Sequence, residues 1–179
     1  MDAGKFTNRL HYALESVTNA WYNIYRKERE DTQMTKAIYF DMDGTLVNLY
    51  AVPNWLEMLR AYDPTPYEMA DPLLRLASLA RILNRLQREG YIIGIVSWLS
   101  KEPTPEYDMA VTQAKLNWLH THLASVQFDE IHIIPYGTPK SQVVEVSGGI
   151  LFDDEEKNRL EWGEGAYDVQ NIIEVLRGL

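Results

Sequence analysis

The chain has 179 residues, no cysteine, and 26 acidic against 17 basic residues, a formal net charge of −9. Its 46% hydrophobic and 24% charged residues suit one packed domain with room for a small appendage. The lack of cysteine excludes disulfide scaffolds, thiol nucleophiles and cysteine-ligated metal centres, and the acidic balance argues against binding nucleic acid by a basic face. Tyr91 to Val96, the longest apolar stretch, is too short to span a bilayer, so no membrane partner is expected. Lys5, Arg9, His11 and Glu15 interrupt the apolar run that a signal peptide needs, and the expectation is a cytoplasmic protein.

Charge is unevenly spread. Residues 1–36 carry six basic and five acidic residues, whereas residues 37–179 carry eleven and twenty-one. An anionic substrate bound by the second part needs a cation or a focused positive pocket to receive it.

Residues 1–36 read as an amphipathic helix plus linker. Phe6, Leu10, Ala13, Val17, Ala20 and Ile24 recur at three- and four-residue steps, widened by Leu14 and Trp21. This face either docks on the domain or serves as a surface for homo-oligomer formation. The pattern changes at residue 37. Ala37–Phe40 is a short apolar run and reads as a buried strand. The prolines in and beside residues 48–71 leave one short helix over Asn54–Tyr62 and otherwise loops. Asp71 is expected to cap a helix with Pro72 in its first position, Leu73, Leu76, Ala80, Leu83 and Leu86 on its apolar face, and Gly90 at its end. Tyr91–Val96 is a second strand. Thr104-Pro105 opens a helix with Met109, Ala114, Trp118 and Leu119 inward, ending near Leu123. Ile131–Ile134 is a third strand, Thr138-Pro139 opens another helix, and Gly149–Phe152 is a fourth strand. Asp168–Leu176 reads as a terminal helix with a short strand before it.

Continuous apolar strands alternating with helices mean an α/β fold: a three-layer, Rossmann-like parallel sheet with helices on both faces. Ligands of such sheets bind at the carboxyl ends of the strands. Those ends carry Asp41 and Asp43 after strand one, Ser97 after strand two, Lys140 beyond strand three, and Asp153 and Asp154 after strand four. Four carboxylates in one small volume repel each other unless a hard divalent cation joins them, and Mg²⁺ suits carboxylates combined with phosphate oxygens. Lys140 and Ser97 would offer a cation and a hydroxyl to that phosphate. In the first turn of a helix Lys140 opposes the macrodipole, a local misfit of the kind found at functional sites. His120 and His122, two apart on a helix, cannot share one face and make no zinc pair.

At these residues the chain resembles the haloacid dehalogenase-like hydrolase superfamily, most of whose members are phosphatases. The resemblance covers about residues 37–179, as a core domain with a small cap insert at about 48–71. Ile38-Tyr39-Phe40-Asp41-Met42-Asp43-Gly44-Thr45-Leu46 matches the strand and Asp-x-Asp-x-Thr of the first motif. Ile92 to Ser97 matches the second motif, Lys140 the third, and Ile150-Leu151-Phe152-Asp153-Asp154 the fourth.

The resemblance implies a Mg²⁺-dependent phosphomonoester hydrolase acting through an aspartyl-phosphate. By it Asp41 is the nucleophile and Asp43 the general acid, then the base. Thr45 positions Asp43, while Ser97 and Lys140 bind the phosphoryl group. The metal ligands are Asp41, Asp43 through its backbone carbonyl, and Asp153. Asp154 is either a further ligand or a support, with Asn158 as a candidate support for it. Tyr50, Trp55, Tyr62 and Tyr67 are candidate walls of a small substrate pocket. The short insert also resembles that of small members acting on nucleotides, so the substrate is expected to be a nucleotide or another small phosphate ester. The alternatives are a phosphotransferase or mutase using the same intermediate, and a non-catalytic binding protein on the same fold.

Overall fold

The computed structural model of the protein describes residues 36–102 and 104–179. The helix expected within residues 1–36, and its role in oligomer formation, lie outside the described residues. From there the chain forms five strands: β1 (Ala37–Phe40), β2 (Ile92–Trp98), β3 (Glu130–Ile134), β4 (Ile150–Phe152) and β5 (Ala166–Tyr167). All pairings are parallel, in the order β3-β2-β1-β4-β5. The winding direction reverses at β1, which pairs with β2 on one side and β4 on the other. The crevice at such a reversal is where doubly wound sheets bind their ligands.

Among the described residues six α-helices accompany the sheet: α1 (Trp55–Arg60), α2 (Thr65–Met69), α3 (Leu76–Arg88), α4 (Pro105–His122), α5 (Glu156–Trp162) and α6 (Ile172–Gly178). Alternation along β1 sends Ile38 and Phe40 to one face of the sheet and Ala37 and Tyr39 to the other. On the first face Ile38, Phe40, Ile93, Ile95 and Phe152 pack with Leu79, Leu83 and Leu86 of α3, Trp118 and Leu119 of α4, and Ile172 and Leu176 of α6. On the second, Ala37, Tyr39, Val96 and Leu151 pack with Trp162 of α5 and with Val143, Val144 and Val146 of an irregular segment. None of the helices among the described residues is long and apolar enough to cross a membrane.

The parallel α/β architecture is as expected, and local departures from the expected elements have definable causes. Residues 71–73 do not begin α3. The Asp71 carbonyl accepts from Asn48 N at 2.8 Å, Leu73 N donates to the Leu46 carbonyl at 2.9 Å, and Pro72 bridges Val47. This pairing holds the segment extended, so the helix starts at Leu76 with Arg75 as its cap, and Leu73 is exposed. Met109 faces solvent, because the buried stripe of α4 runs through Tyr107, Val111, Ala114, Lys115, Trp118 and Leu119.

The helix expected after Pro139 shrinks to a single 3₁₀ turn, Lys140–Gln142. Beyond it Glu145 N donates to Glu130 Oε2 at 3.0 Å and Val146 N to the Tyr39 hydroxyl at 3.3 Å. With these amides and three valines engaged on the sheet, a helix cannot propagate. A second short helix, α2, fills part of the segment expected to be loop.

One close approach fixes the pairing of the two central strands. Tyr39 stands opposite Gly94, and a Cβ at position 94 would lie 2.6 Å from the tyrosine ring. The Tyr39 hydroxyl meanwhile donates to Glu130 Oε1 at 2.8 Å.

Candidate active site

The chain leaves β1 into a tight loop. The Met42 carbonyl accepts from the amides of Thr45, Leu46 and Val47, and Gly44 N donates to the Val47 carbonyl. Gly44 has φ +78°, and a Cβ there would come within 2.2 Å of Asp154 Oδ2. Glycine is therefore needed both for the turn and to let the end of β4 approach the end of β1.

Asp41, Asp153 and Asp154 each offer an oxygen within 4.8 Å of the others. Lys140 lies between two of them: its Nζ donates to Asp41 Oδ1 at 2.7 Å and to Asp153 Oδ2 at 2.6 Å, with the lysine 4% exposed. Lys140 thus reaches the site from a 3₁₀ turn, held by two carboxylates, and the expected macrodipole misfit does not arise. Burial opposes its charge, but Asp41 and Asp153 outweigh that and raise its pKa.

Asp153 is held from several sides. Its Oδ1 accepts from Glu155 N at 2.9 Å, and Asn158 Nδ2 reaches both of its oxygens at 3.1 Å. Asn158 therefore supports Asp153, not Asp154 as anticipated. Burial and then the Asp41 charge push the Asp153 pKa up. Burial, Asp41 and Asp153 push Asp154 up to about 7. The Thr45 hydroxyl accepts from Asp154 N at 3.1 Å and lies 3.4 Å from Asp154 Oδ1. Thr45 thus ties the first-strand loop to Asp154, where a link to Asp43 was expected.

Asp43 turns to a different partner. Its Oδ2 accepts from Lys115 Nζ at 2.6 Å, while its buried Oδ1 has no partner among the described residues. Burial raises its pKa against the opposing pull of Lys115. Lys115 also donates to Ser97 Oγ at 2.9 Å and to the Trp98 carbonyl at 2.7 Å. Ser97 is fully buried in β2 and reaches the site through Lys115. Sequence reasoning missed Lys115. The available signal was a lysine four residues from both Val111 and Leu119 on an otherwise apolar stripe.

Asp41, Asp43, Lys140, Asp153 and Asp154 line one cavity of about 440 Å³. Its walls include Tyr50, Trp55, Tyr67, Trp98 and Tyr136, and Arg60 and Lys101 bring positive charge. Tyr50 meets Trp55 edge-on at 5.1 Å, and Trp98 packs on Tyr136 at 4.8 Å. Three of the four expected wall residues are present. Tyr62 instead packs edge-on against Tyr107 at 5.4 Å.

The donor set tests the expected metal. Three clustered carboxylates, two with raised pKa, form a hard oxygen site of net negative charge even after Lys140 is counted, which fits a divalent cation such as Mg²⁺.

No protein-family model matches the chain, and no curated protein matches it. Among solved structures it is similar to the D,D-heptose 1,7-bisphosphate phosphatase from Burkholderia thailandensis, with a TM-score of 0.50 and 13% identity. The match covers 79% of this chain and 98% of that one. The likeness is one of fold, and it confirms the α/β, Rossmann-like architecture.

Proposed function

We propose that the protein is a Mg²⁺-dependent phosphomonoester hydrolase of the haloacid dehalogenase-like kind. The observation that carries this reading is the meeting of Asp41, Asp153, Asp154 and Lys140 in one cavity, with Asp43 beside them. The structural likeness to a phosphatase supports the reaction class.

In this reading a carboxylate oxygen of Asp41 attacks phosphorus, and the bond to the leaving oxygen breaks. Asp43 gives that oxygen a proton. As carboxylate, Asp43 then takes a proton from water, the water oxygen attacks the aspartyl-phosphate, and inorganic phosphate leaves. Lys140 offsets the charge on Asp41, so that one anion can approach another. Asp41, Asp153 and Asp154 would hold Mg²⁺, with the Asp43 carbonyl as the expected further ligand. When bound, the ion supplies charge neutralisation to the phosphoryl oxygens. The aromatic walls suit a planar or apolar leaving group, and a mononucleotide is the substrate class that combines this with one phosphate ester.

The test is phosphate release from p-nitrophenyl phosphate with Mg²⁺, with EDTA, and with Asp41→Asn. Turnover with Mg²⁺ alone is expected, with near-complete loss in the variant. Activity that survives EDTA or Asp41→Asn rejects the mechanism. A panel of nucleotides, sugar phosphates and phosphorylated amino acids then ranks substrates, and transfer to an added alcohol in preference to water would mark a phosphotransferase.

A further inference from the structure

Lys115 projects from the middle of α4 into the protein interior with 1% exposure. An ammonium has three N–H donors, and all three are engaged: by Asp43 Oδ2, Ser97 Oγ and the Trp98 carbonyl, at 2.6, 2.9 and 2.7 Å. The Tyr67 ring lies 5.1 Å from Nζ. No donor is left for a substrate, so Lys115 is not a phosphate ligand in this arrangement. Two of its partners sit on β2, the strand next to β1, and the third is the carboxylate beyond β1.

Packing does not explain a lysine here. Val111, Ala114, Trp118 and Leu119 surround it on the same stripe, and a methionine would fill the position without desolvating a charge. What the lysine provides is orientation. With Oδ2 of Asp43 clamped, the carboxylate of this cavity-lining residue is held at a fixed angle, while its other oxygen, Oδ1, is buried and has no partner among the described residues. Ser97 and the Trp98 carbonyl hold the clamp itself to the sheet.

We propose that Lys115, anchored by Ser97 and the Trp98 carbonyl, is a positioning residue that fixes the Asp43 carboxylate at the cavity wall for proton transfer to the leaving-group oxygen. The proposal rests on the hydrolase reading and assigns to that site a residue outside its strand-end motifs.

General acid assistance matters most for poor leaving groups, so the effect depends on the ester. Lys115→Met is expected to lower kcat about 100-fold on an alkyl ester, glycerol 2-phosphate, and less than about tenfold on p-nitrophenyl phosphate, with KM little changed on both. Added to Asp43→Asn, it is expected to cost nothing further, because the group it aims is already gone. Should Lys115→Met fail to fold, the same comparison is made with Lys115→Gln and with the Lys115→Met/Asp43→Asn pair, which removes both buried charges together. Equal losses on the two esters, additive losses in the double variant, or a change confined to KM would overturn the proposal while leaving the hydrolase reading intact. A wild-type chain that turns over neither ester would overturn both.

Discussion

At Gly44 the loop after β1 needs a positive φ and a missing Cβ at the same time. Gly44→Ala adds strain at a left-handed position and drives a methyl into the Asp154 carboxylate. A loss of about 1–3 kcal/mol in urea unfolding is expected, with at least a tenfold fall in kcat as Asp154 is displaced; unchanged values of both would show that the loop relaxes freely. The single residues most legible in the sequence are those with a fixed place at a strand end. Asp41, Asp43, Asp153 and Asp154 follow their strands directly, and their meeting at one edge follows from the parallel sheet. The contacts of Thr45 and Asn158 were less legible. Both have short polar side chains within reach of several acids, and only the path of the loop decides which acid each one meets. Lys115 was invisible to motif reasoning because its partners lie 17 or more positions away, on β2 and beyond β1.

Among the elements, α4 joins the small insert to the sheet. Its Trp118 is 2% exposed and donates from Nε1 to the Ala70 carbonyl at 2.7 Å, just beyond the end of α2. On the same helix the Tyr107 hydroxyl donates to the Asp63 carbonyl at 3.3 Å. Trp118→Phe leaves the Ala70 carbonyl without its donor and is expected to cost about 1–3 kcal/mol in chemical denaturation. Turnover measured well below the melting temperature should stay within about twofold of wild type, since Trp118 lies outside the cavity. Strands and the long helices were readable because a buried strand and an amphipathic helix each impose a strong period. The start of α3 and the end of the Lys140 turn were not, because pairing with distant backbone at the first and with distant side chains at the second overrode local preference. Asp71-Pro72 has good helix-starting chemistry, yet two backbone hydrogen bonds to the β1 loop hold that segment straight.

For the molecule as a whole, the site's acids oppose folding in a defined pH window. Asp154 titrates at about 7 when folded, against an ordinary 3.8. Between these values the folded chain holds a proton that the unfolded chain has released, so stability falls as pH rises from about 4 to about 7. Asp43 and Asp153, also raised, act in the same direction. The upper bound from Asp154 alone is about 4 kcal/mol at 1.36 kcal/mol per pKa unit. Glu130 and Asp63, whose pKa values are lowered, contribute stability that is already complete above pH 5. In EDTA the melting temperature is therefore expected to drop from pH 5 to pH 7, and Mg²⁺ at pH 7 is expected to restore it; a rise across that interval without metal would contradict the electrostatic picture. Two residues before Asp41, the contact between Tyr39 and the bare backbone of Gly94 acts as a ruler. Sliding β2 by one step would bring an isoleucine where only hydrogen fits, and would shift Ser97 by one residue relative to Asp41. Residue 94 is thus closed to every side chain for a reason that lies at the chemical end of the sheet, and even alanine there would misalign machinery it never touches.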